Sequence, residues 1–262
     1  MSQLRVRNGL LICLGASLLF PLLGAEHEVP STKRGPRDIL WRLRQGNKAF
    51  VAGRQSIAQV TPARRVSLVA AQQPHAVVLT CADSRVPPEY IFNEGLGSLF
   101  VVRVAGAVAD PVTVGSVEYG VEHLHARLIV VMGHTRCGAV KAAIETAAPT
   151  GPPTGPGANI ESILALIRPG IPKGITHNDP WTTAVYGGVE QTIADLFRIS
   201  KILPEMSQTE EIGVIGAVYE IESGKVKFSE MYTKSGVAND NQTARRLEWK
   251  TTASSVTSAR SN

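Results

Sequence analysis

The sequence predicts an α/β fold in which helices cover a parallel sheet and an antiparallel strand closes one edge. Four short runs are apolar throughout, which is typical of parallel strands buried on both faces. Segments with helical periodicity separate them. A Ser-Gly turn then leads into "KVKFSEMY" (225–232), which predicts a hairpin with an edge strand. The four runs are "HAVVLT" (75–80), "SLFVVRVAG" (98–106), "ARLIVVMG" (126–133) and "EIGVIGAVYEI" (211–221).

Helices are predicted where apolar residues recur at helical spacing between start and stop signals. The first follows Pro36 and stops at Gly53. Two others begin with an Asp-Pro pair, which provides a cap and a proline in the first turn. The predicted helices are 37–53, 110–124, 137–147 and 178–203, with Pro204 ending the last.

Length and composition fit one globular domain, predicted to span 37–235. The 262 residues are 44% hydrophobic and 19% charged, which allows a core of normal size without a disulfide framework. The net charge of +5 is mild, and no Lys/Arg-rich run with interleaved aromatics occurs. We therefore exclude nucleic acid as a partner. The remaining segments are predicted as a linker (26–36), a Pro/Gly-rich surface loop (148–159) and a disordered tail (236–262).

Residues 1–25 predict export. Two arginines precede the apolar stretch 10–23, and small residues follow it. A stretch of about 14 residues is too short to span a bilayer, which needs roughly 20. This pattern is typical of a signal peptide, and the alternative is an uncleaved membrane anchor. We expect an exported protein that is periplasmic or associated with a membrane.

Two predicted strands end in residues that can bind a soft metal. Cys81 follows the first strand, and His134 and Cys137 follow the third. Ligands of open α/β sheets bind outside the carboxyl ends of strands, so we expect these side chains to converge. Two thiolates and one imidazole offer three ligands to zinc and leave a fourth position open, as in catalytic sites. A disulfide and a reactive thiol are the alternatives, although a disulfide gives His134 no role.

A carboxylate and a guanidinium lie close to the first cysteine. Arg85 follows Asp83 by two residues and can hold that carboxylate ionised in one orientation. Asp83 could then accept a hydrogen bond from a metal-bound water or hydroxide. A plain salt bridge within the loop is the alternative, and the three ligand candidates nearby favour the functional interpretation.

The motifs "CADSRVPPE" and "GHTRCGAVKAA", with "LFVVRVAG" between them, closely resemble the β-class carbonic anhydrases over roughly residues 37–232. The resemblance implies a central parallel sheet of about four strands and an N-terminal helical arm that wraps a partner. It also implies a homodimer or a dimer of dimers, with the active site at the dimer interface. One Zn²⁺ per subunit would be bound by Cys81, His134 and Cys137, with Asp83 and Arg85 as the catalytic pair. The implied reaction is reversible hydration of carbon dioxide to bicarbonate and a proton, with zinc-bound hydroxide as nucleophile.

The same resemblance implies three substrate-binding residues. Gln72 matches a glutamine that hydrogen-bonds the substrate, and Phe100 and Tyr119 match aromatic residues that line a narrow cleft. Ordinary packing in a core or an interface is the alternative role for the two aromatic residues. Ala107 stands where many members carry asparagine, which puts a hydrogen bond near the metal in doubt.

Overall fold

Five strands form one sheet in the part of the chain that a computed structural model describes, which is residues 34–232 apart from 57, 150, 152–154, 156 and 174–178. The strands are β1 (Ala76–Thr80), β2 (Leu99–Arg103), β3 (Leu128–His134), β4 (Gly213–Tyr219) and β5 (Val226–Tyr232). Their order is β2-β1-β3-β4-β5. The first four are parallel to their neighbours, and β5 pairs antiparallel with β4. The predicted α/β class and the antiparallel edge strand are confirmed.

Helices cover both faces of this sheet. They are α1 (Pro36–Val51), α2 (Pro62–Ser67), α3 (Pro88–Ile91), α4 (Pro111–Glu122), α5 (Gly138–Glu145), α6 (Ala158–Ile167), α7 (Pro180–Ile199) and α8 (Leu203–Gln208). Short 3-10 turns occur at Ala58–Val60, Ala105–Ala107 and Arg168–Gly170. Within the described ranges, no helix is long and apolar enough to cross a membrane.

The central strands β1, β3 and β4 are buried on both faces, because successive side chains enter two different cores. Val77 and Leu79 of β1 pack with α4 to α8, whereas Ala76 and Val78 pack with α1 and α3. All five residues of β1 are buried. This explains why the runs are apolar without alternation, as the sequence predicted.

The N-terminal helix α1 packs on its own chain. Ile39 and Leu43 are fully buried against the sheet, and the Asn47 amide donates to the carbonyls of Ile91 and Gly224. Trp41 lies on the opposite face and is 64% exposed. The helical arm is therefore present, and its wrapping of a partner stays an expectation.

The predicted helix 178–203 is wrong at its carboxyl end. The first helix, α7, stops at Ile199, and the hydroxyl of Ser200 accepts the N–H groups of Ile202 and Leu203. Pro204 does not end α7, because it lies in the first turn of α8, where a missing N–H has no cost. Helix α6 was not predicted, and it begins inside the expected 148–159 loop.

The predicted segments 1–25 and 236–262, and residues 26–33 of the linker, lie outside the described residues. The predicted boundary at residue 37 falls one residue inside α1, which starts at Pro36. At the other end, β5 reaches Tyr232. The domain limits of 37–235 therefore stay a prediction. The bounds of α1 and β5 are compatible with it.

Candidate metal centre

Neighbouring strands bring three ligand candidates together. Cys81 follows β1, His134 ends the adjacent strand β3, and Cys137 precedes α5. One ligand atom from each lies within 4.8 Å of the other two, and all three residues are buried. Both cysteines are free, so the structure has no disulfide between them. The convergence expected from the sequence is present.

The tautomer of His134 fits metal binding. Its Nδ1 lies 2.9 Å from the carbonyl oxygen of Thr135. Because a carbonyl can only accept, Nδ1 carries the proton and Nε2 presents a lone pair. Nε2 is buried and has no hydrogen-bond partner among the described residues. An unpartnered imidazole nitrogen beside two sulfurs fits a soft ion such as zinc, and a carbonyl behind the ring is a usual support for a histidine ligand.

The surroundings of Cys81 favour its thiolate. The hydrogen bond from Cys137 has the largest effect, and with the N–H groups of Asp83 and Gly106 it outweighs burial and lowers the pKa of Cys81 to about 4. The same contact between the sulfurs raises the pKa of Cys137, and burial raises it further. The Gly106 N–H lies 3.4 Å from the Cys81 sulfur. This approach requires glycine, because φ is +77° and a Cβ would lie 2.6 Å from Ile167.

Asp83 and Arg85 form a two-pronged ion pair. Nε and Nη2 of Arg85 donate to the two carboxylate oxygens of Asp83 at 2.9 and 2.7 Å. This contact holds the pKa of Asp83 well below its usual range, so the carboxylate is ionised. Asp83 Oδ2 lies 3.8 Å from His134 Nε2. Arg85 also donates to the carbonyl of Arg136 at 3.2 Å, which links the loops after β1 and β3.

Several supporting contacts involve main-chain carbonyls. The indole N–H of Trp181 donates to the Cys137 carbonyl at 2.9 Å. The hydroxyl of Thr192 donates to the carbonyl of Ala107 at 3.0 Å, at the position where asparagine was expected. A third side chain, that of Arg103, donates to the carbonyls of Cys81 and Asp83. The sequence analysis did not single out Trp181, Thr192 or Arg103, because nothing in residue spacing shows which carbonyl a side chain reaches.

A small cavity adjoins the three ligand candidates. Its volume is about 20 Å³, which is room for about one water molecule. Its lining combines the three ligand candidates with aliphatic side chains of α5, α6 and α7. The cavity therefore has an apolar wall beside the candidate metal ligands. The aliphatic lining includes Val140, Leu166, Ile167, Val185 and Val189.

The three residues expected to bind substrate do not line this cavity. Phe100 pairs with Val77, three positions before the end of β2, and Gln72 is exposed in the loop before β1. Tyr119 is 48% exposed on α4, and its ring centre lies 6.0 Å from that of Phe100. Within one chain Phe100 and Tyr119 form an aromatic surface apart from the cavity. The role of Gln72, Phe100 and Tyr119 in substrate binding stays a prediction.

Comparisons with known proteins agree with one another. The family model described as carbonic anhydrase matches residues 76–226. Carbonic anhydrase 2 of Mycobacterium tuberculosis is 37% identical over 190 residues, which cover 71% of this chain and 89% of that relative. The carbonic anhydrase of Mycolicibacterium smegmatis is 38% identical over 190 residues, which cover 72% and 91%.

Solved structures show the same likeness. The β-carbonic anhydrase of Coccomyxa in complex with acetazolamide has a TM-score of 0.56 at 27% identity, covering 74% of this chain and 86% of that one. A β-carbonic anhydrase of Sordaria macrospora, one of two described as tetrameric, has a TM-score of 0.56 at 22% identity and covers 73% and 96%. The second likeness concerns the fold alone.

Proposed function

The chain belongs to the β-class carbonic anhydrases, and from that premise we propose that it hydrates carbon dioxide reversibly to bicarbonate and a proton at one zinc ion per subunit. Cys81, His134 and Cys137 would hold the ion. The observation that carries the proposal is the buried, unpartnered Nε2 of His134 within 4.8 Å of two free cysteine sulfurs. When bound, zinc lowers the pKa of water toward neutrality and so supplies a nucleophile.

Asp83 would orient the reacting water. Its carboxylate is ionised and held by Arg85, and its Oδ2 lies 3.8 Å from His134 Nε2. Each carboxylate oxygen has two lone pairs, so a carboxylate bound by Arg85 can still accept a hydrogen bond from water. A fixed acceptor beside the ligand atoms favours one orientation of the water before reaction.

The aliphatic wall suits an apolar substrate. Carbon dioxide has no hydrogen to donate, so side chains such as Val140 and Val189 lose no hydrogen bond by contacting it. The proton that is released must leave toward solvent, because the lowered pKa of Asp83 lets its carboxylate accept hydrogen bonds but not keep that proton.

Two substitutions test this function. Cys81→Ser should lose both zinc and carbon dioxide hydration, because it removes one of three ligands. Asp83→Asn should keep its zinc and lose rate by about 100-fold or more, the size typical of a positioned acid–base group. Zinc content and stopped-flow hydration measure the two effects.

Asp38→Asn is the matched control, because Asp38 is an exposed residue of α1. It changes the charge by the same amount and should leave zinc content and rate unchanged. Full activity in Cys81→Ser would overturn the proposed site. Full rate in Asp83→Asn would remove Asp83 from the mechanism.

We also propose a homodimer or a dimer of dimers. The related proteins of Sordaria macrospora are described as tetrameric. Support in this chain comes from β2, which pairs only with β1 among the described strands, and from Val112 and Tyr119, which are exposed on α4. A second copy on this surface would bring Gln72, Phe100 and Tyr119 to the cleft of its neighbour.

Export is a further proposal, based on the residue pattern of 1–25. Cleavage after Ala25 would leave a mature chain without the two arginines of that segment. Mass spectrometry of the protein from its native cells measures the mature amino terminus. An intact chain in the cytoplasmic fraction would contradict export, and an intact chain in the membrane fraction would indicate an anchor.

A further inference from the structure

Arg103 ends β2 and reaches the main chain that follows β1. Its Nε donates to the carbonyl of Cys81 at 3.2 Å, and its Nη2 donates to the carbonyl of Asp83 at 2.6 Å. These carbonyls flank Ala82, whose N–H donates to the carbonyl of Val104 at 3.3 Å. One guanidinium therefore binds both sides of the turn that carries a metal-ligand candidate and the candidate catalytic carboxylate.

The contact made by Arg103 differs in kind from that of Arg85. Arg85 binds the side chain of Asp83 and keeps it ionised. Arg103 instead donates to carbonyl oxygens of the peptide backbone. By holding the peptides on both sides of Ala82, Arg103 sets the directions in which the side chains of Cys81 and Asp83 leave the main chain.

We propose that Arg103 is a positioning residue for the metal centre. It keeps the Cys81 sulfur and the Asp83 carboxylate in one relative placement, and the proposal rests on the zinc chemistry proposed above. A misplacement of such groups by about 1 Å can cost about 100-fold in rate. The contribution of Arg103 is therefore to geometry at the site.

The geometry calls for arginine and not simply for a positive charge. Two acceptors on different peptides match the planar fork of a guanidinium, whereas lysine offers a compact charge on a flexible stem. Arg103 is exposed, so water screens its charge. Both hydrogen bonds join an exposed side chain to carbonyls of one turn, so we expect the midpoint of thermal unfolding to change little without them.

The test compares Arg103→Met and Arg103→Lys with Arg127→Met. Arg127 is a matched control, because it also donates to a main-chain carbonyl, that of Glu211 at 3.0 Å, but directly precedes β3, at the amino-terminal end of the parallel strands. Each zinc-loaded protein is mixed with an excess of a chromogenic chelator, and the rate of zinc release is measured. The kcat and KM for carbon dioxide and the midpoint of thermal unfolding are measured on the same samples.

Arg103→Met should release zinc about 10–100-fold faster and lose kcat by a similar factor, the usual effect of removing an outer support of a metal site. KM should change by less than about twofold, because Arg103 does not contact the substrate cavity. Arg103→Lys should resemble Arg103→Met in zinc-release rate and kcat, because lysine keeps the charge but lacks the planar guanidinium that binds two carbonyls at once. Arg127→Met should match the wild type in release rate and kcat.

The proposal is wrong if the zinc-release rate and kcat of Arg103→Met stay within about twofold of the wild-type values. If Arg103→Met does not fold, the same two measurements on Arg103→Lys decide. Equally fast zinc release from Arg127→Met would overturn it as well, because the loss of an arginine elsewhere would then have the same effect. A wild type that holds no zinc overturns both proposals. A wild type that holds zinc but does not hydrate carbon dioxide overturns the proposed reaction alone, since the release rates still decide on Arg103.

Discussion

Glu94 carries a buried charge outside the metal centre. Its side chain is 2% exposed and accepts hydrogen bonds from Nε and Nη2 of Arg42 at 2.7 and 2.9 Å. His75 Nε2 lies 3.4 Å from the same carboxylate. Burial acts to raise the pKa of Glu94, but His75 and Arg42 outweigh it and lower that pKa. Because Arg42 belongs to α1, the ion pair ties this helix to the body of the domain.

Glu94→Gln should lower the free energy of unfolding near neutral pH by about 1–3 kcal/mol, since a hydrogen bond to a charged group contributes about that much. The lowered pKa means that the wild-type contribution is complete above 4.5, the ordinary value of a glutamate. It is lost as the pH falls through the lower, folded-state value. The difference between wild type and variant should therefore narrow in acid.

Urea unfolding of both proteins from about pH 7 down to about pH 3 measures that difference. Glu205→Gln is the control, because Glu205 is exposed on α8. The free energy of unfolding of this control should stay close to that of the wild type at neutral pH. A gap between wild type and Glu94→Gln that is constant over the whole range would contradict the prediction.

At the scale of single residues, the sequence was sufficient to predict the site residues whose side-chain type indicates metal binding. Cys81, His134 and Cys137 could be grouped because carboxyl ends of neighbouring parallel strands meet at one edge of the sheet. Arg103 and Trp181 could not, because both act on main-chain carbonyls. Which carbonyl a side chain reaches depends on how the loops pack, and this packing cannot be inferred from residue types.

At the scale of elements, α1 approaches α3 so closely that only glycine fits at position 46. A Cβ on Gly46 would lie 1.7 Å from the carbonyl oxygen of Phe92 and 2.6 Å from its carbonyl carbon. Glycine inside a helix is ordinarily unfavourable by about 0.5–1 kcal/mol. Here the close contact between the two helices requires it.

Gly46→Ala should destabilise the protein by about 1–3 kcal/mol or more, because the helix must move away from rigid backbone atoms. Gly115→Ala is the matched control, because Gly115 lies inside α4 and a Cβ there would meet nothing within 4 Å. The control should gain about 0.5–1 kcal/mol from better helix propensity. Chemical unfolding of the two variants measures both changes. Equal effects of the same sign would show that backbone propensity, and not the contact with Phe92, decides at position 46.

Elements were predictable in type and less so in extent. The strands follow from apolar runs, because burial on both faces leaves no room for polar residues. The end of α7 could not be read from its apolar stripe, which continues in pattern beyond Ile199. It ends there because Ser200 instead caps the next turn through its hydroxyl. Helix α6 was missed because the Pro/Gly-rich residues before it drew the loop prediction past its start.

At the scale of the whole molecule, the ligand candidates and the aromatic surface lie toward opposite ends of the parallel strands. Arg103 is opposite Thr80, just before Cys81, whereas Phe100 is opposite Val77. Three residues of strand span roughly 10 Å. A single chain therefore does not bring Phe100 to the cavity, and a second copy docked on the β2 edge is the arrangement that we propose to do so.

Mixing two inactive variants tests whether the site is shared between copies. Cys81→Ser lacks a metal ligand but keeps its aromatic surface, whereas a Phe100→Ala, Tyr119→Ala double variant keeps the ligands. If each site takes its metal from one chain and its aromatic residues from the other, every mixed dimer has one intact site. An equimolar mixture that is unfolded and refolded together should then regain about one quarter of wild-type carbon dioxide hydration, because about half of the dimers are mixed. The two variants refolded separately and then combined are the control and should stay inactive until subunits exchange. No gain on joint refolding, with dimers verified by light scattering, would mean that each chain completes its own site.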